Sequence, residues 1–264
     1  MKKQTSWGEV AEWYDDLLSN SEDSYQKNVI LPNLVRLVDP KPNLKILDLA
    51  CGQGYFSFAF RDKGAEVIGC DISEELIKIE RDTTQNITEN KPEFHVAPAD
   101  NIAFIKDTSI DTVTIVLALQ NIENLTGTLK ECSRVLKNQG KLFIVLNHPT
   151  FRIPHNSSWQ WDNDKQYRRI DAYMSEQSSK IDMTPGENDL SKKKFTISFH
   201  RPLQQYFKAL NKSGLVIARL EEWISHKESQ SGPKAKEEDR LRKEIPLFLC
   251  LECVSRGQTS GKKS

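Results

Sequence analysis

The sequence predicts a protein of the α/β class, and two observations support that prediction. Short apolar segments of strand length alternate with amphipathic segments of helix length from residue 44 to residue 147. Three of the apolar segments end in an acid or are followed closely by one, namely Asp48, Asp71 and Asp100. Because open α/β sheets bind ligands at the carboxyl ends of their strands, these acids are expected to share one ligand site.

The composition is that of a globular protein without overall charge. The 264 residues include 37 Lys and Arg and 37 Asp and Glu, so nucleic acid and anionic membranes are disfavoured as partners. The five scattered cysteines are typical of reduced thiols in the cytoplasm. Cys250 and Cys253 lie in an apolar run, where their spacing points the side chains to opposite faces of a strand, so no metal site is expected.

The amino-terminal segment, residues 1–40, is expected to form a helical cover. Its aromatic and aliphatic residues recur at helical spacing until Asp39, and Pro32 either starts or kinks the second helix. The segment has no apolar stretch long enough for a signal sequence or a membrane span. We therefore expect a cytoplasmic protein that does not cross a membrane.

Residues 44–57, LKILDLACGQGYFS, predict a buried strand, a glycine turn and the start of a helix. Such a turn lets the backbone approach a nucleotide-like ligand closely, although an ordinary strand-turn-helix has the same pattern. A dinucleotide motif needs a third glycine where Ser57 stands, which argues against a nicotinamide cofactor. Asp48, before the turn, suits a cationic ligand.

This segment resembles motif I of the class I S-adenosylmethionine-dependent methyltransferases, D-x-A/G-x-G-x-G, with Ala50 in place of its first glycine. Asp71 resembles the family's second acid, which accepts hydrogen bonds from the ribose diol. Asp100 resembles the acid that accepts from the adenine amino group. The resemblance covers roughly residues 40–148.

The resemblance implies a Rossmann-like, doubly wound sheet of seven strands in the order 3-2-1-4-5-7-6, with the last strand antiparallel. This methyltransferase domain is expected to span residues 41–254. The implied cofactor is S-adenosyl-L-methionine. The cofactor-binding residues that the resemblance implies are Asp48, Ala50, Gly52, Gly54, Asp71, Ile72, Asp100, Asn101 and Leu117.

The turn after the fourth strand is informative by what it lacks. It contains neither N/D-P-P-Y/F nor Pro-Cys, which argues against amino-adenine and cytosine C5 methylation of the usual kinds. Many relatives carry histidines in this turn, where this chain has Gln120 and Asn121. If the acceptor must lose a proton, His148 at a strand end is the first candidate base, and His155 and Glu123 are the next candidates.

Residues 149–194 interrupt the alternation of strands and helices and are rich in aromatic residues and arginines. Their position after the fifth strand predicts an inserted substrate lid, while the alternative is a small accessory core with solvated arginines. In the lid interpretation the aromatics form an apolar slot and the arginines bind a carboxylate or phosphate. The candidate acceptor-binding residues are Tyr14, Tyr25, Asn121, Trp161 and Arg169.

The carboxyl-terminal part predicts two final strands at residues 215–224 and 245–254, which the resemblance pairs in antiparallel fashion. The charged segment 226–244 between them is expected to be a solvated or partly disordered loop. Residues 255–264 are expected to form a disordered tail.

The sequence thus predicts methyl transfer from S-adenosylmethionine to an O, N or C nucleophile of a small-molecule acceptor. Three alternatives stay open: an RNA or protein methyltransferase of the same fold, an NAD(P)-dependent oxidoreductase, and a cofactor-binding scaffold without activity. The sequence does not determine the acceptor, the methylated atom or the oligomeric state.

Overall fold

The structure, a computed structural model, describes residues 23–184, 186, 188–189 and 193–256. A π-helical turn at Gln26–Ile30 leads into the first helix. Pro32 lies in the first turn of that helix, where its missing N–H removes no helical hydrogen bond. The predicted aromatic face around Tyr14 lies outside the described residues.

The described elements follow the predicted alternation up to the fifth strand. The helices are α1 Leu31–Val38, α2 Tyr55–Arg61, α3 Glu74–Thr83, α4 Leu125–Val135, α5 Leu203–Lys212 and α6 Ala235–Glu244. The strands are β1 Lys45–Leu49, β2 Glu66–Asp71, β3 Glu93–Val96, β4 Ile110–Val116, β5 Leu136–Asn147, β6 Ser157–Asp162, β7 Lys165–Ile170, β8 Gln177–Asp182, β9 Phe195–His200, β10 Leu215–Trp223 and β11 Phe248–Ser255. Within the described ranges no helix is both long and apolar enough to cross a bilayer.

The central sheet has the order β3-β2-β1-β4-β5-β11-β10, which confirms the predicted topology. The first five sheet strands pair in parallel, and β11 runs antiparallel to both β5 and β10. The chain order reverses between β1 and β4, whose loops turn away from each other and leave a crevice at the carboxyl ends. Asp48 stands in β1 opposite Gly69 of β2 and Thr114 of β4.

The sheet separates two apolar cores. One core holds α4 and α5 against the sheet, and the other holds α1 and α2. Cys253 belongs to the first core and Cys250 to the second, so the two thiols lie on opposite faces of β11 as predicted. Burial raises the pKa of each thiol to about 12, which keeps both thiols neutral at ordinary pH.

The structure differs from two predictions near the carboxyl terminus. The charged segment 226–244 is not a loop throughout, because it contains helix α6. Glu237 pairs with Arg240 one turn later, and Leu241 is buried, so local ion pairs and one apolar anchor favour the helix. Ser255 belongs to β11 rather than to a disordered tail, and the Arg256 N–H donates to the Gly214 carbonyl.

Helix α4 ends at Val135, and β5 begins directly after it at Leu136. The pairing of β5 with β4 shifts register between Ile110 and Thr112. This irregularity absorbs the extra residues at the start of the strand.

The inserted segment forms two β-hairpins. Strands β6 and β7 make one antiparallel pair, and β8 and β9 make the other. The first hairpin contacts α6, since the Gln166 N–H donates to Glu237 Oε1 at 3.1 Å. The second hairpin lies against the 3₁₀ turn Leu119–Asn121, which follows β4 at the crevice.

Gly69 in β2 is required by the packing of β3, because a Cβ at this position would lie 2.4 Å from Phe94 Cδ1. We expect Gly69→Ala to lower the free energy of unfolding by about 1–3 kcal/mol, as overpacking of a core does. Urea denaturation measures this change. The matched control is Gly232→Ala, whose added Cβ meets its nearest atom, Gln230 O, at 3.9 Å. Equal stabilities of the two variants would contradict the packing argument.

Candidate functional site

The turn between β1 and α2 brings the backbone to the edge of the crevice. Ala50, Gly52 and Gly54 have φ values of 59°, 58° and 71°, a region that glycine adopts readily and alanine does not. A Cβ on Gly52 would meet nothing within 4 Å, so open space lies beside this backbone. A Cβ on Gly54 would lie 2.7 Å from Glu80 Oε2. Gly52 therefore faces a possible ligand, whereas Gly54 serves the packing behind the turn.

Asp48 is a buried carboxylate held by two hydroxyl groups. The Ser57 hydroxyl donates to Oδ2 at 2.7 Å, and the Thr114 hydroxyl donates to Oδ1 at 2.9 Å. Burial raises the pKa of Asp48 to about 6, although both hydrogen bonds lower it in part. A cationic ligand group beside Asp48 would compensate the charge that burial leaves poorly solvated. Ser57, which breaks the dinucleotide pattern in the sequence, thus has a structural role at this site.

The carboxylate of Asp71 is held beside the glycine turn by hydrogen bonds from two backbone N–H groups. Gly52 N–H donates to Oδ2 at 3.0 Å, and Ser73 N–H donates to Oδ1 at 2.9 Å. Burial raises the pKa of Asp71, and these backbone hydrogen bonds oppose the increase. Because each carboxylate oxygen has a second lone pair, Asp71 can also accept two hydrogen bonds from a diol.

Most of the predicted cofactor-binding residues line one cavity, here called the turn cavity. The predicted cofactor-binding residues in its wall are Asp48, Ala50, Gly52, Asp71, Ile72 and Leu117, and Asn121, predicted to bind the acceptor, lines it too. An adjoining hollow of about 340 Å³ shares Asp71 and Ile72 with it and contains Asp100 in its wall. Asn101 is exposed and lines neither space, and Gly54 lies behind the turn. The structure therefore brings together seven of the nine predicted residues on the turn cavity or its neighbour: Asp48, Ala50, Gly52, Asp71, Ile72, Asp100 and Leu117.

A second cavity, here called the hairpin cavity, lies between the sheet and the second hairpin. Its volume is about 370 Å³, which is within the size range of small-molecule sites. Its wall includes the apolar residues Pro149, Ile181, Met183, Phe199 and Phe248, and the polar residues Gln120, Asn147, Arg152, Thr196, His200 and Arg201. Leu117 and Asn121 line both this cavity and the turn cavity, so the two spaces meet at the end of β4.

The predicted acceptor-binding residues divide between inside and outside this cavity. Tyr25 and Asn121 line it, and the Tyr25 hydroxyl lies 3.3 Å from Ser225 Oγ. Trp161 and Arg169 belong to the first hairpin and are not part of the wall. Arg169 is solvated, and Trp161 lies under the Lys234 ammonium. Of the two hairpins, the second therefore contributes to the wall of this cavity. Tyr14 lies outside the described residues.

His148, the predicted base, is held away from both cavities. Its side chain is buried, with Nε2 at 2.7 Å from Glu222 Oε1. The Thr150 N–H donates to Nδ1 at 3.2 Å, so both ring nitrogens have protein partners. Burial lowers the pKa of His148 despite the nearby Glu222 carboxylate. This geometry fits a structural histidine, because neither nitrogen is available to an acceptor.

The other two candidate bases, His155 and Glu123, also lie outside the wall of the hairpin cavity. His155 is exposed, with Nε2 at 3.4 Å from the Lys180 carbonyl, and it lines neither cavity. Glu123 borders the hollow around Asp100 rather than the hairpin cavity.

His200 is a candidate that the sequence analysis missed. It is buried at the end of β9 and lines the hairpin cavity. Its Nε2 lies 2.8 Å from the Tyr173 carbonyl, which can only accept, so Nε2 carries a proton. Nδ1 makes no hydrogen bond to any described residue. The apolar and β-branched residues of FTISFH at positions 195–200 were the available signal for this strand.

Comparisons with known proteins agree with this geometry. Residues 47–144 match a family model described as a methyltransferase domain. A demethylmenaquinone methyltransferase of Streptomyces avermitilis is 33% identical over 148 residues, which are 54% of this chain and 59% of that protein. The chain thus spans about three fifths of the length of that relative.

Solved structures share the fold. The structure of an S-adenosylmethionine-dependent methyltransferase from Mesorhizobium loti superimposes with a TM-score of 0.66 at 22% identity, covering 84% of this chain and 96% of that one. The methyltransferase bound to the Trm112 activator of Haloferax volcanii gives 0.64 at 18% identity, covering 96% and 98%.

The matched region begins within β1 and ends within β5, and it contains the glycine turn and the three acids of the turn cavity and its neighbour. The sheet order is the one that the resemblance implied. Residues 47–144 are therefore similar to methyltransferase domains, and the described fold is that of S-adenosylmethionine-dependent methyltransferases.

Proposed function

We propose that this chain methylates a small molecule that binds in the hairpin cavity. The observation that supports the proposal most directly is the meeting of the two cavities at Leu117 and Asn121. Methyl transfer requires the nucleophile to approach the methyl group closely and in line, so donor and acceptor need adjoining sites. The relative from Streptomyces avermitilis is named for a small-molecule reaction, which agrees with this proposal.

The residues of the turn cavity fit S-adenosylmethionine. The open space beside Gly52 admits a ligand against the backbone, and Asp71 offers two acceptor oxygens to a ribose diol. Asp48 is the partner for the ammonium group of the methionine part, and Asp100 is the acceptor for the adenine amino group. When bound, the cofactor supplies an electrophilic methyl group on a sulfonium, and the protein's contribution is to position and desolvate the acceptor.

His200 is the proposed general base. Donation from Nε2–H to the Tyr173 carbonyl fixes the neutral tautomer and leaves the Nδ1 lone pair available. Nδ1 can accept the proton of an acceptor O–H or N–H, which leaves the electron pair on that oxygen or nitrogen for the methyl group. This assignment replaces His148, whose two ring nitrogens are already engaged.

Cofactor affinity is expected to depend on the ionisation of Asp48. Its pKa in the free protein is about 6, so lowering the pH through 6 protonates it and removes the charge that attracts the ammonium group. Between pH 7.5 and pH 5 the affinity for S-adenosylhomocysteine should fall by about tenfold from this group. Asp71, whose pKa burial also raises, acts in the same direction.

Calorimetric titration at both pH values measures this effect. In Asp48→Asn the affinity at pH 7.5 should be lower and its decline toward pH 5 much smaller, because the titrating carboxylate is gone. Affinity of the unmodified protein that stays constant from pH 7.5 to pH 5 would contradict the role of Asp48.

Turnover is expected to depend on His200. Release of S-adenosylhomocysteine during a screen of small hydroxyl and amine compounds identifies a working acceptor. With that acceptor, His200→Asn should lower kcat by roughly 100-fold or more, as loss of a general base does, while S-adenosylhomocysteine still binds. His95→Asn, which alters a partly buried histidine of β3, is the matched control and should retain full kcat.

Two outcomes would contradict the proposal. Unchanged kcat in His200→Asn would exclude His200 as the base. Methylation of RNA or protein, with no turnover of any small molecule, would exclude the acceptor class.

A further inference from the structure

The hairpin cavity has an unusual charge balance. Arg152 and Arg201 line it, and no aspartate or glutamate is present in the described part of its wall. Arg134, by contrast, pairs with the carboxylates of Glu131 and Asp107. The cavity therefore presents positive charge that no described acidic side chain neutralises.

Arg201 is the more deeply buried of the two cations, with only 7% of its surface exposed. Its Nη2 donates to the carbonyls of Ile122 at 2.9 Å and Glu123 at 2.8 Å, which fixes the guanidinium in place. Its Nη1 is buried and has no partner with hydrogen-bond geometry within the described residues, although the guanidinium interacts with the nearby Tyr206 hydroxyl. The Phe199 ring lies 5.1 Å from Cζ. A buried cation with an unused donor is costly unless a ligand supplies an acceptor.

Arg152 supplies a second cation from a different element. It follows the end of β5 and is partly buried, and its guanidinium makes no hydrogen bond or ion pair with a described residue. Burial lowers its pKa, which shows that its charge is incompletely solvated. Burial lowers the pKa of Arg168 and of His148, and the charge of Arg152 adds to this effect at both groups. An anion placed near Arg152 would relieve this repulsion.

Two further polar atoms in the wall have no hydrogen-bond partner among the described residues. They are the hydroxyl oxygen of Thr196 and Oε1 of Gln120, both buried. Thr196 can donate to an oxyanion, whereas Gln120 Oε1 accepts and therefore suits a hydroxyl or amine of the ligand. Gln120 is adjacent to Asn121, where the cavity meets the turn cavity, so this second contact lies on the side of the cofactor.

We propose, on the basis of the proposed function, that the methyl acceptor carries an oxyanion, a carboxylate or phosphate ester, which Arg201 and Arg152 bind. The acceptor also has an apolar part, since Ile181, Met183 and Phe248 line the same cavity. The group to be methylated is a hydroxyl or amine on the side of Gln120 and His200. Guanidinium groups suit this task because their paired donors match the geometry of an oxyanion.

The test uses the full chain saturated with S-adenosylhomocysteine and three probes of similar shape: benzoate, phenyl phosphate and benzamide. Calorimetric titration should give at least tenfold tighter binding of one of the two anions than of neutral benzamide. The tighter of the two anions identifies the oxyanion. Arg152→Met should remove most of this preference, and Arg201→Met should do the same. The control variant is Arg219→Met. Arg219 lies on β10 and pairs with Glu252, and its replacement should leave the preference for the anion unchanged.

Arg201→Met risks misfolding, because it removes two hydrogen bonds to the chain, so Arg152→Met carries the test by itself if that occurs. Equal binding of all three probes, or a preference that Arg152→Met leaves intact, would overturn the proposal. A tenfold loss of S-adenosylhomocysteine affinity in Arg152→Met would also overturn it, because the arginine would then bind the carboxylate of the cofactor. Failure of every variant and of the unmodified protein to bind S-adenosylhomocysteine would instead refute the proposed function.

Discussion

The candidate site is organised around the buried carboxylate of Asp48 and the two hydrogen bonds that it accepts. It is the last but one residue of β1, and it accepts hydrogen bonds from Ser57 in α2 and from Thr114 in β4. These contacts tie together the strand before the glycine turn, the helix after it and the strand across the crevice. Burial raises the pKa of Asp48 to about 6, so the carboxylate is mostly ionised at neutral pH but poorly solvated. In the proposed function a cationic group of the ligand compensates this charge, and the hydrogen bonds that organise the turn also hold the carboxylate in place.

Local backbone strain coincides with the place where the two cavities meet. Ala50 and Leu117 adopt φ values of 59° and 52°, which side-chain-bearing residues rarely do and which cost of order 1–3 kcal/mol each. Leu117 is held there by donation of its N–H to the Val145 carbonyl at 2.8 Å and by acceptance from Gln120 Nε2 at 2.7 Å. The strained conformation places Leu117 in the wall of both cavities. The two cavities, which are the proposed sites of donor and acceptor, therefore adjoin at Leu117.

The structural features that could be predicted from the sequence are those that short residue patterns along the chain determine. Apolar runs, glycine spacing and the position of Asp71 are readable along the chain, and the family resemblance that they support implied the sheet order, which the structure confirms. The hairpin cavity depends on contacts between distant segments, such as His200 with the Tyr173 carbonyl and Arg201 with the Glu123 carbonyl. His148 was chosen because it stands at a strand end, but burial and Glu222 decide its role. Such tertiary partners are not visible in spacing alone.

The most direct test of the central claim is calorimetric titration of the protein with S-adenosylhomocysteine and, separately, with NADH, repeated on Asp71→Asn. Asp164→Asn, in the exposed turn between β6 and β7, is the matched control. The account predicts micromolar binding of S-adenosylhomocysteine, weakened in Asp71→Asn by tenfold or more, which is about 1.4 kcal/mol. The control should bind normally. Binding of NADH with no response to S-adenosylhomocysteine would contradict the assignment of the turn cavity and leave only the fold.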